Sequence, residues 1–137
     1  MFSRSVAYNV AGLCLLGASV SLLVACPGSL QDPQDFTGAP ADIIGPKCAV
    51  SPCHNSHDKA GSLDLTPDAN LSKRLVNVPP TGPGCMGLLV DPMAPDQSLL
   101  YAKCLPTAPC GTQMPQTGNP LTQDELDELL TWIKTLK

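Results

Sequence analysis

Cys48-Ala49-Val50-Ser51-Pro52-Cys53-His54 places two thiols and an imidazole within seven consecutive residues. How those three side chains are used decides what the rest of the chain can fold around. Core-forming residues are scarce on either side: Tyr101 and Trp132 are the only aromatics in residues 41–137. With 15 Pro and 11 Gly in 137 residues, turns are frequent and elements short, which excludes a large sheet or a long helical bundle. Short helices with few large side chains bury little apolar surface at about 25 cal/mol per Å². Such a domain needs a staple: disulfides, a metal or a large cofactor.

Working outward, the expected fold class is mostly α, with short helices joined by long loops. The clearest helix is C-terminal. Thr122 and Glu125 form a capping box, Leu121 and Leu126 a hydrophobic staple. Leu126, Leu129, Leu130, Ile133 and Leu136 recur at helical spacing, with Trp132 at the edge of that face. Acids in the first turns and Lys134 and Lys137 in the last suit the helix dipole. Thr66-Pro67 is expected to open a short helix that pairs Leu71 with Leu75 and stops before Pro79-Pro80. Asp96 is expected to cap a helix over 97–103. A brief helical piece over 41–44 is expected to end at Gly45-Pro46. Residues 63–65 and 88–90 read as short extended pieces.

The N-terminus has a different character. Arg4 is the last charge before Asp32, and residues 10–26 are nearly continuously apolar. That pattern fits a signal peptide and is shorter than the ~20 residues a spanning helix needs. Leu23-Val24-Ala25-Cys26 resembles the lipobox of bacterial lipoproteins. The resemblance implies a signal peptide over 1–25 and a lipidated Cys26 that anchors the mature chain to a membrane surface. Pro27 in place of Asp then favours the outer membrane over retention at the inner one. Residues 26–40 read as a lipidated cysteine and flexible tether, and 41–137 as the domain. Export also permits disulfides. The net charge of −4 disfavours nucleic acid as a partner, since nothing would neutralise a run of phosphates.

A cysteine followed directly by histidine, with a second cysteine shortly before, is the arrangement that attaches c-type haem. Two thiols add across the porphyrin vinyl groups, and the adjacent imidazole then lies under the iron. The usual spacing has two intervening residues and this chain has four, so the extra residues must bulge, which Pro52 can favour. Two other uses stay open on the residues alone. Cys48 and Cys53 can close a local disulfide. A zinc site with His57 has tolerable spacing but lacks a fourth ligand.

Beyond the motif, residues 42–137 resemble small bacterial monohaem cytochrome c domains of the planctomycete and lipoprotein type. The parts stand in order: Cys53-His54-Asn55, Ala60-Gly61-Ser62-Leu63-Asp64-Leu65, Leu75-Val76-Asn77-Val78-Pro79 and Val90-Asp91-Pro92. They continue through Ser98-Leu99-Leu100-Tyr101-Ala102-Lys103, Gln113-Met114-Pro115, Pro120 to Glu125, and Leu130-Thr131-Trp132-Ile133. The resemblance implies a cytochrome c-like domain folded around one haem c. Cys48 and Cys53 would carry the thioethers, His54 would be the proximal ligand and Met114 the distal one, with Trp132 and Ile133 near the pocket. It implies an electron carrier working with redox protein partners, and not an enzyme, because both axial positions are taken.

Cysteine parity bears on this. Cys14 leaves with the signal and Cys26 takes lipid, so Cys48, Cys53, Cys85, Cys104 and Cys110 remain. If Cys48 and Cys53 both bind haem, Cys104 and Cys110 are the candidate disulfide, across a loop with Pro106 and Pro109. If only Cys53 does, Cys48–Cys85 and Cys104–Cys110 can both close. The alternatives to a cytochrome are a haem-free, disulfide-stapled surface lipoprotein that acts as a binding module, and a haem sensor in which Met114 is displaced.

Overall fold

The computed structural model of the chain describes residues 37–137; the expected signal segment, Cys14 and the lipidation candidate Cys26 lie outside them. The described chain enters its core at once, through a π-helix at Pro40–Cys48. Ala39 and Pro40 are already buried, just ahead of the expected domain start at Ala41. The helix does not end at Gly45-Pro46 as expected. Pro46 has no N–H to give, and the wider turn absorbs it, with Ala49 N–H donating five residues back to Ile44 O at 2.8 Å. Ile43 and Ile44 face inward from this turn, each 1% exposed.

Leu71–Leu75 forms the first α-helix, α1. Thr66-Pro67 does not open it, because residues 64–68 are drawn into a loop by Arg74. The Arg74 guanidinium donates to Asp64 O at 3.1 Å, to Thr66 O at 2.6 Å and to both Asp68 carboxylate oxygens at 2.8 and 3.1 Å. Leu71 and Leu75 are fully buried, as their spacing predicts. Beyond α1, Val76 and Val90 meet in one parallel bridge, the only β-pairing among the described residues.

The helix expected over 97–103 is broken at Ser98. A 3₁₀ turn at Pro95–Gln97 precedes it and α2, Leu99–Ala102, follows. The cause is a competing set of partners: Leu99 and Leu100 N–H groups donate to Leu88 O and Leu89 O at 2.9 and 3.0 Å. Buried Ser98 accepts the Asp91 N–H on its hydroxyl at 2.9 Å, which satisfies the break.

The third helix, α3, covers Gln123–Thr135 and begins with the predicted capping box. Glu125 N–H donates to Thr122 Oγ1 at 3.3 Å and Thr122 N–H to Glu125 Oε2 at 2.9 Å. Leu126, Leu129, Trp132, Ile133 and Leu136 are buried; Trp132 lies in the core rather than at its edge, and Leu130 is only half-buried. These side chains share one cluster with Ile43, Ile44, Leu65, Leu71, Leu75, Val90 and Leu100. The domain is thus mostly helix and loop.

Candidate functional site

The segment from Cys48 to His54 closes on itself. Cys48 ends the π-helix, and His54 N–H donates back to Cys48 O at 3.1 Å. Inside that loop Cys53 N–H donates to Val50 O at 2.6 Å. The intervening segment therefore bulges outward over 50–52, while Ala49 stays packed against the core. Val50, Ser51 and Pro52 are exposed, whereas Cys48, Cys53 and His54 are half-buried. From the other side Ala60 N–H donates to Cys53 O at 3.0 Å and Leu65 N–H to His54 O at 2.7 Å, so the backbone of both residues is fixed twice. Such ties hold the imidazole without using its ring. His54 Nδ1 is buried and has no hydrogen-bond partner.

Cys48 and Cys53 are both free thiols, as is Cys104. Burial pushes the Cys48 thiol up to about 12; Cys104 and Cys53 push in the same direction and Lys47 opposes. Burial also pushes Cys104 up to about 11, with Lys103 opposing. Cys48 thus lies within the electrostatic reach of both other thiols. Cys104 is 4% exposed, and its Sγ donates to Leu100 O at 3.4 Å.

The candidate disulfide Cys104–Cys110 does not form: Cys110 is bonded to Cys85, with their Cα atoms 5.2 Å apart. The Cys104 side chain points into the core at the end of α2, while Cys110 lies on a loop drawn toward Lys103. The Lys103 ammonium takes Cys110 O at 2.5 Å and Thr112 O at 2.6 Å. Cys48–Cys85, the pairing considered for a single thioether, is excluded by the same bond.

Met114 belongs to a second framework. Its N–H donates to Lys103 O at 2.7 Å, and the neighbouring Gln113 side chain donates to Cys104 O at 2.9 Å. Met114 is half-buried, whereas Met86 and Met93 are 88% and 92% exposed. Of the domain's three methionines, only Met114 is sheltered. His57, considered for zinc, has a side chain 94% exposed and 3.2 Å from Asp58. Trp132 and Ile133 lie in the same cluster that Cys104 joins and Cys48 packs against.

The structure therefore joins Cys48, Cys53 and His54 through their own backbone, and sets Met114 separately through Lys103. Sequence reasoning missed the Cys85–Cys110 pairing, which spacing cannot reveal. It also missed Lys103, whose only signal was Gly111 between the two carbonyls that the ammonium gathers. No family model matches the chain, and no curated protein or solved structure is significantly similar to it.

Proposed function

We propose that the chain is a membrane-anchored c-type cytochrome domain that carries single electrons. The observation that carries this reading is the His54 N–H to Cys48 O bond. It draws the ends of the long motif together and turns the surplus residues outward, as a four-residue spacer requires if both thiols are to reach one porphyrin edge. The donor set fits haem c. Cys48 and Cys53 are free thiols for the two vinyl groups, and His54 is held by its backbone with a ring nitrogen left unpaired. Met114 is the sheltered methionine for the opposite side. Bound haem supplies an iron that gains and loses one electron, at a potential raised by Met/His ligation relative to bis-His. If His54 and Met114 both held the iron, no substrate would have a place on it, which favours a carrier over an enzyme. Cys26 supplies the lipid anchor in this reading, at the outer membrane or the periplasmic membrane surface, and the partners are redox proteins.

Cysteine parity fits as well. Once Cys85 and Cys110 pair, the motif thiols stay available and Cys104 is the odd one, sealed in the core. The same disulfide also serves a second reading, a haem-free surface lipoprotein stapled at Cys85–Cys110.

Expression in a strain with cytochrome maturation machinery separates the two. After acid-acetone extraction, the purified protein is expected to keep its reduced-minus-oxidised haem bands. Colourless protein sinks the cytochrome reading and leaves the stapled module. The pyridine haemochrome band position counts the thioethers, and Cys26→Ser is expected to move the protein from the membrane to the soluble fraction.

A further inference from the structure

The loop between α2 and Met114 is organised by one side chain. Lys103 ends the α2 turn with its stem half-buried. Its ammonium accounts for two of its three protons on Cys110 O and Thr112 O, at 2.5 and 2.6 Å. Gly111, between those carbonyls, has φ +57, which curves the backbone around the cation. A Cβ there would lie 3.5 Å from Nζ in addition to the strain of that φ. Two residues later the chain returns to Lys103, whose own carbonyl accepts the Met114 N–H at 2.7 Å.

We propose that Lys103 is the positioning residue for Met114: its ammonium gathers the carbonyls of Cys110 and Thr112, while its carbonyl fixes the Met114 amide. The role rests on the cytochrome reading, in which Met114 is the distal ligand. A thioether binds iron weakly, so its hold depends on how little freedom the supporting loop allows. The disulfide at Cys110 anchors the loop from one side, and Gln113 to Cys104 O from the other. Lys103 touches both the loop, through its ammonium, and the Met114 backbone, through its carbonyl. The ammonium reaches carbonyls only, so an arginine can replace it and an aliphatic side chain cannot.

The test compares wild type, Lys103→Leu, Lys103→Arg and Gly111→Ala as matured full-length chains. Haem per chain comes from the pyridine haemochrome, and Met114 ligation from the ferric sulfur-to-iron charge-transfer band. Lys103→Leu is expected to lose more than half of the band at unchanged haem content, and Lys103→Arg to regain it. Gly111→Ala, which keeps the lysine but strains the backbone that carries the two carbonyls and sets a Cβ against Nζ, is expected to weaken the band. In the haem-free chain the Met114 amide is expected to exchange at least tenfold faster in Lys103→Leu than in wild type. A full band in Lys103→Leu at equal haem overturns the assignment; if that variant does not fold, a full band in Gly111→Ala does so. Coloured wild type without the band removes Met114 as ligand and Lys103 with it. Colourless wild type instead overturns the cytochrome reading, and this role falls with it.

Discussion

Glu125 holds Lys47 with one carboxylate oxygen and caps α3 with the other. Lys47 Nζ lies 2.5 Å from Oε1, while Oε2 accepts the Thr122 N–H at 2.9 Å. Lys47 immediately precedes Cys48, so the start of the cysteine motif is tied to the start of the last helix. The two halves of the domain meet at this carboxylate.

That arrangement sets an acid response. The Lys47 ammonium and then the Thr122 N–H hold the Glu125 carboxyl below the usual carboxylate range. A carboxyl with a lowered folded pKa contributes stability that is complete above its unfolded pKa and is lost as the pH falls through the folded one. Urea unfolding of Glu125→Gln is therefore expected to show a flatter loss of stability than wild type as the pH drops through the carboxylate range. Parallel curves would remove Glu125 from the acid response.

Arg74 is expected to be the most sensitive polar side chain outside the motif. It satisfies two carbonyls and one carboxylate of the 64–68 loop from a partly buried position. Arg74→Ala leaves those acceptors short of donors and should lower stability by about 2–3 kcal/mol. Arg74→Lys should recover little, since an ammonium cannot reproduce the planar fork. Denaturant midpoints for the two variants check this; full recovery in the lysine variant would mean that charge alone matters.

The Cys85–Cys110 bond has a simple chemical signature. Trypsin cuts after Arg74, Lys103 and Lys134, placing Cys85 in one peptide and both Cys104 and Cys110 in the next. Under non-reducing conditions the two peptides are expected to migrate as one linked species, with Cys104 alkylated only after unfolding. Separate peptides, the second with an internal bridge, would restore Cys104–Cys110. Replacing both partners by Ser should cost about 3.5 kcal/mol, the loop-closure value for a separation of 25 residues.

The remaining thiols should differ in reactivity between the folded and unfolded chain. Cys48 and Cys104 are pushed up to about 12 and about 11 by burial, which leaves almost no thiolate at neutral pH. In the haem-free chain their alkylation is expected to be at least a hundredfold slower in buffer than in urea, as read by mass spectrometry over time. Equal rates would show that neither thiol is shielded.

How far the sequence reached depends on the kind of force involved. The α3 helix was legible in its cap, written in Thr122 and Glu125, and in most of its buried face, written in leucine spacing, but not in the burial of Trp132 or the half-exposure of Leu130. Leu71 and Leu75 were legible for the same reason. The errors lie where backbone groups found distant partners. The break at Ser98 comes from Leu88 and Leu89 carbonyls, and the late start of α1 from an arginine ten residues beyond Asp64. The π-helix runs past Pro46, whose missing N–H leaves one bond of the ladder unmade, and closes with Ala49 N–H on Ile44 O. In the site, the bulge over 50–52 followed from counting residues, but the partner of Cys110 did not, since pairing is a tertiary fact.

Leu126, Leu129 and Ile133 lie more than eighty residues beyond Ile43 and Ile44, yet all five share one cluster. The domain therefore has no complete core until α3 has docked against the segment that leads into Cys48. Until then the Cys48 and Cys53 thiols are unshielded, so whatever modifies them competes with the docking of that helix.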